Sequence, residues 1–116
     1  MIQIHSSSRY KIQKKLYAKV AQDYLVKQGV SDTVLVNIIF VGKIKMRQIA
    51  KTYKDEDVAL PVLAFSYNDK EENEEQLLGE IFICYPQGVL LASERNKTVD
   101  ITIIDLIQHG IRNLLK

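Results

Sequence analysis

Apolar positions repeat with a helical period in some stretches of this chain and run almost unbroken in others. From Tyr10 to about Gln28, Ile12, Leu16 and Val20 fall four apart and are joined by Ala21, Tyr24 and Leu25. That spacing predicts an amphipathic helix ended by Gly29. Val34 to Val41 (VLVNIIFV) is β-branched and almost wholly apolar, as expected of a strand covered on both faces. A second helix is predicted from about Lys45 to Lys54, with Ile44, Met46, Ile49 and Ala50 turned inward.

Three further strands are read at Met1–His5, Leu60–Tyr67 (LPVLAFSY) and Leu77–Cys84 (LLGEIFIC). Pro61 favours an edge or entry position, since it donates no ladder hydrogen bond. NDKEENEEQ, between the last two strands, has the composition of a solvated connection. Pro86 opens a short helix to about Ser93, and Thr98 or Asp100 caps a last one running to the terminus. Its apolar face is Ile103, Ile104, Ile107, Ile111, Leu114 and Leu115. The fold class expected is α+β: one domain over residues 1–116, with a small mixed sheet of about four strands and helices packed on it. The strand order cannot be read from the pattern.

A chain of 116 residues with 47% apolar content can form one real core. The amino terminus carries no apolar run of signal-peptide length, and no stretch approaches the ~18 to 20 apolar residues of a membrane span. The expectation is a soluble, cytoplasmic chain without a membrane partner. Cys84 is the single cysteine, so neither an internal disulfide nor a CxxC metal clip is available. It is read as a small buried hydrophobe.

Charge changes the picture more. Residues 1–54 hold eleven Lys or Arg against Asp23 and Asp32, a balance of +9, whereas residues 55–116 hold five against twelve acids, a balance of −7. Lys11, Lys15 and Lys19 form one stripe at four-residue spacing, and Lys43, Arg47, Lys51 and Lys54 form another. Two such stripes suit a polyanion, and equally suit two solvated helix faces. Lys43, Arg47, Lys51, Lys54, Lys11 and Lys15 are the RNA-binding candidates.

Chemistry is sparse. On the last helix Asp105, His109, Asn113 and Lys116 share a polar stripe, with Arg112 beside it. Side chains four apart can grip one ion together, but Asn113 brings a neutral amide, a poor zinc ligand. His5 stands in the first strand without a visible partner. No P-loop, GxGxxG, GxSxG or EF-hand pattern occurs.

Three segments, KMRQIAKTYKDEDVALPVLAFSY, LLGEIFICYP and DLIQHGIRNLL, resemble the YbeY-type bacterial endoribonucleases that mature ribosomal RNA. Members read as a strand, a helix ending in N-x-x-Y-R, then T-D-V-L-S-F, then G-D-I-V-I, then an H-G-x-x-H-L-x-G-x-D-H helix. Here Tyr53 and Lys54 stand at Y-R, and Val62, Leu63 and Phe65 match the next strand. Gly79, Glu80, Ile81 and Ile83 match G-D-I-x-I, and His109-Gly110 opens the metal helix, with Leu114 behind it.

The resemblance implies a single-strand endoribonuclease of the zinc-hydrolase type, partnered by ribosomal RNA or the ribosome. Three histidines would hold the zinc. His109 is the first, Asn113 occupies the second position, and the third would fall three residues past Lys116. The metal site is therefore expected to be incomplete and zinc weak or absent, because catalytic zinc needs about three protein ligands. Lys54, at the family's Arg position, is the candidate catalytic residue; it keeps the charge but loses the two-toothed grip on phosphate. Ala50 and Leu60-Pro61 depart from the family's Asn and T-D positions. Three readings stand: an enzyme cut short before its last ligand, a divergent RNA- or ribosome-binding domain without hydrolysis, or a coincidental likeness. Truncation alone leaves Asn113, Ala50 and Leu60-Pro61 unexplained.

Overall fold

The computed structural model describes residues 1–67 and 76–116, the side chain of Gln76 excepted. Almost all of NDKEENEEQ lies outside the described residues. The elements are β1 (Ile2–His5), α1 (Lys14–Lys27), β2 (Val34–Val41), α2 (Lys43–Lys54), β3 (Val62–Ser66), β4 (Gln76–Cys84), α3 (Tyr85–Glu94) and α4 (Val99–Leu114). They form the expected α+β fold.

The four strands lie in the order β1-β2-β4-β3. β1 runs parallel to β2, and β2 parallel to β4, while β3 pairs antiparallel with β4, so the sheet is mixed. β3 takes an edge, as Pro61 suggested. Pro61 still contributes its carbonyl, which accepts from the Cys84 amide at 2.9 Å. Strand alternation then sorts side chains to two faces. Val36, Ile38, Phe40, Ile81 and Ile83 build the main core with Tyr17, Ala21 and Leu25 of α1 and Ile103, Ile107 and Ile111 of α4. Leu63 and Cys84 meet Met46, Ile49 and Ala50 of α2 on the other face. β2 is fully buried on the first face and only half-buried on the second, which corrects the expectation of full cover on both.

Helix boundaries and faces also shift. α1 begins at Lys14, not Tyr10, because Ile12 and Lys14 close short turns onto the Tyr10 and Ile12 carbonyls first. Ala21 and Leu25 are buried as expected, with Ile12 and Tyr24 packed beside them, but Tyr17 takes the inward place expected of Leu16, which is exposed. α2 begins at Lys43, on Gly42 as N-cap, which places Ile44 on the outer side, 78% exposed rather than inward. On α4, Leu115 falls past the last turn and is exposed, while Thr102 and Leu106 join the buried side. Thr102 is buried without penalty because its hydroxyl donates to the Thr98 carbonyl at 3.0 Å. Thr98 is the N-cap, its side chain accepting from the Ile101 amide.

Candidate active-site clefts on the edge strand

Two short devices set the position of Lys54. α2 ends there because Asp55 adopts a left-handed backbone (φ 53°), a conformation Asp tolerates better than most residues. The chain then turns back, with the Glu56 amide donating to the Ala50 carbonyl at 3.2 Å. The link to β3 is held from α3, where the Gln87 side-chain amide donates to the Ala59 carbonyl at 2.7 Å. Lys54 therefore stands over the start of the edge strand.

His109 reaches the same edge from α4. Gly110, the next residue, lets the helix lie directly on Ile81, and Gly79 makes a second close approach, under Leu114 and beside the Phe65 carbonyl. Both glycines belong to matched motifs, and both have a packing reason.

Two adjoining clefts result. One, of about 590 Å³, is lined by His109, Asp105, Gln108, Arg112 and Arg95 against Leu60, Pro61 and Val62. The other, of about 460 Å³, brings Lys54 and Asn113 together with Glu56 over Leu60, Val62, Leu63 and Ala64. Leu60 and Val62 border both. The structure thus gathers His109, Asn113 and Lys54 around one strand. Arg112 was legible beside the polar stripe. Arg95 was missed: it caps the end of α3, and no spacing in the sequence points to it.

The RNA-binding candidates are not all gathered. Lys43, Lys51 and Lys54 are exposed along α2, with Arg47 between them. Arg47 is already engaged: its guanidinium donates twice to Asp57, at 2.7 and 3.2 Å. That pairing holds the Asp57 carboxyl below its ordinary value and the Arg47 guanidinium above its own. Lys15 lies on α1, across the sheet from α2, and Lys11 precedes α1. The two basic stripes therefore do not form one surface. Arg9 and Tyr10, ahead of α1, line a third cleft together with Lys43 and Lys45 of α2.

Among the described residues, the donors at this edge do not by themselves make a zinc site, since no three His, Cys, Asp or Glu side chains come together to hold a metal ion. His109 offers one imidazole, Asn113 an amide, and Asp105 a carboxylate one turn earlier. Cys84 contributes nothing here: it is fully buried, and burial pushes its thiol up.

Comparison with known proteins decides the lineage. The family model described as "Endoribonuclease YbeY" matches residues 2–115. This chain belongs to the YbeY family. Relatives described as endoribonuclease YbeY include one from Finegoldia magna, 30% identical over 72% of this chain and 55% of its own length. Another, from Thermodesulfovibrio yellowstonii, is 32% identical over 70% of this chain and 51% of its own. A third, from Desulforamulus reducens, is 32% identical over 87% of this chain and 69% of its own. The chain thus spans about half the length of the first two. A solution structure of a Thermotoga maritima protein superposes with a TM-score of 0.65 at 24% identity, covering all of this chain and 73% of that one, which shows the YbeY-like fold. Among the described residues no helix is long and apolar enough to cross a membrane.

Proposed function

We propose that this chain, read as a single domain, is a YbeY-type endoribonuclease that cuts single-stranded RNA, with ribosomal RNA on the ribosome as its target and the cytoplasm as its place of work. The observation that carries this reading is the convergence of Lys54, Asn113 and His109 on the Leu60–Val62 edge. Lys54 and His109, at positions of different motifs more than fifty residues apart, line adjoining clefts that share Leu60 and Val62.

Lys54 acts as a cation beside a phosphate, and Arg95 and Arg112 supply the fork geometry that Lys54 lacks. Lys43, Arg47 and Lys51 extend the backbone track along α2. Lys11 and Lys15, across the sheet, take a secondary part. His109 is the one imidazole available as a metal ligand or proton carrier. Since the described donors do not make a zinc site, no step is routed through a metal. The relatives' shared description favours cleavage over RNA binding alone.

The test uses the full chain on an end-labelled single-stranded RNA, with and without added divalent metal. Cleavage should fall at least tenfold in His109→Ala and in Lys54→Ala, while Lys54→Arg should retain or exceed it. RNA that is bound but never cut would leave the binding-domain reading in its place. Cleavage indifferent to both alanine variants would move the site elsewhere.

A further inference from the structure

On the α2 face of the sheet, next to the Lys54 cleft, lies a cleft of about 480 Å³ with no part in the chemistry above. Its walls are aromatic. Tyr53, on the last turn of α2, is 68% exposed, and its ring stands 5.1 Å from Phe65 at 64°. Phe65 stands edge-on to Phe82 at 5.8 Å. Tyr67, also exposed, closes the other side and donates its hydroxyl to Glu80. Lys45 is at the rim. An exposed tyrosine in water forgoes apolar burial that a stacked ligand would supply.

We propose that this cleft is a nucleobase subsite, taking the base of a nucleotide whose phosphate lies by Lys54. Tyr53 and Lys54 are consecutive, and Phe65 follows the Leu63-Ala64 floor of the Lys54 cleft, so the walls of the two clefts come from neighbouring residues of α2 and β3. Glu80 decides which part enters. A carboxylate repels phosphate but accepts N–H donors, and with about four lone-pair sites it has room beyond the bond from Tyr67. Guanine, which offers two adjacent N–H donors on its pairing edge, fits best. Cytosine and adenine, each with one exocyclic amine beside a ring-nitrogen acceptor, fit next. Aromatic stacking holds any base, and Glu80 ranks them. The inference rests on the RNA reading for its physiological meaning, and names the base class that reading leaves open.

The experiment titrates the full chain with GMP, CMP, AMP and UMP while following the tyrosine ring signals by NMR. It then measures binding of short single-stranded RNAs by anisotropy. GMP should move the Tyr53 and Tyr67 rings most. Tyr53→Ala should weaken RNA binding by roughly 5- to 150-fold, and Tyr53→Phe should restore it. Glu80→Gln should flatten the order of bases while leaving stacking in place. Ring shifts with GMP but no RNA cleavage would uphold the subsite and sink the enzyme reading. RNA bound through the α2 lysines with Tyr53→Ala neutral and the rings unmoved would overturn the subsite alone. Stronger ring shifts with an arginine amide than with any nucleotide would also overturn it, and would assign the cleft to a cation.

Discussion

Gly110 lies so close to Ile81 that a Cβ on it would come within 2.7 Å of the isoleucine Cγ2. The contact sets how near α4 lies to the sheet, and so where His109 stands over the edge strand. Overpacking at such a point forces side chains off their rotamers or lifts the helix. Gly110→Ala should therefore destabilise the chain by about 1–3 kcal/mol, read as a lower urea midpoint at unchanged slope. Ile81→Ala, which removes the Cγ2 that the new methyl meets, should make the added cost of Gly110→Ala smaller than in the parent chain. Full additivity of the two changes would mean that the pair does not touch.

Tyr17 makes a second prediction. Its ring is 2% exposed, and its hydroxyl donates to one oxygen of Asp100 at 2.5 Å, while Gln13 donates to the other at 2.9 Å. Burial, then the bond to Asp100, push the phenol well above its ordinary value. The folded state thus holds this proton more tightly than the unfolded chain does. The contribution is whole below the unfolded phenol value, about 10, and is lost as pH rises beyond it. Denaturant midpoints measured on both sides of that value should fall steeply on the alkaline side. Tyr17→Phe should be less stable at neutral pH and should flatten that fall. An equal alkaline loss in the phenylalanine variant would assign it to other groups.

These two contacts mark what the sequence could and could not disclose. α4 and β2 were legible because their apolar periods are long and regular. The inward side of α1 was legible at Ala21 and Leu25 but not at Tyr17, a polar-tipped residue whose partner, Asp100, is 83 positions away. Ile44 failed differently, since hydropathy alone turns an isoleucine inward, whereas a helix starting on Gly42 points it to solvent. The candidate site was named residue by residue from motif likeness. Its assembly was not foreseeable, because it depends on β3 taking the edge beside β4 and on α4 crossing under it. Arg95 and the aromatic cleft left no periodic trace at all.

The basic ridge on α2 gives a third prediction. Arg47 and Asp57 are both well exposed, so their pairing is screened by salt and should matter little to stability. It does occupy a cation on the proposed RNA track. Asp57→Asn should release the guanidinium, tighten single-stranded RNA binding, and steepen the salt dependence by roughly 0.7 log units per log unit of salt. Reversing the charge of Lys43 and Lys51 together should weaken binding to all sequences alike and flatten the same slope. Anisotropy titrations over a range of salt read both. If Asp57→Asn left affinity and slope unchanged, Arg47 would belong to the fold's surface and not to the track.

The last prediction concerns metal at the edge strand. His109 and Asn113 lie one turn apart on α4, a spacing that puts their Cβ atoms ~5–6 Å from each other on one face. Two imidazoles at that spacing can share a zinc ion, whereas an imidazole and an amide grip it poorly. The unmodified chain should therefore yield zinc readily to a chromophoric chelator. Asn113→His should raise zinc affinity by roughly tenfold or more, about 1.4 kcal/mol for each factor of ten. The substitution is at an exposed position, so the fold should tolerate it. Adding His109→Ala to that variant should abolish the gain, while His5→Gln, far off in β1, should leave it intact. Cobalt(II) gives a second readout, since the intensity of its visible bands reports the coordination number and geometry around the ion. Tight zinc in the unmodified chain that is lost in His109→Ala would mean that other side chains complete the site. Tight zinc indifferent to His109→Ala would place the metal away from this edge altogether.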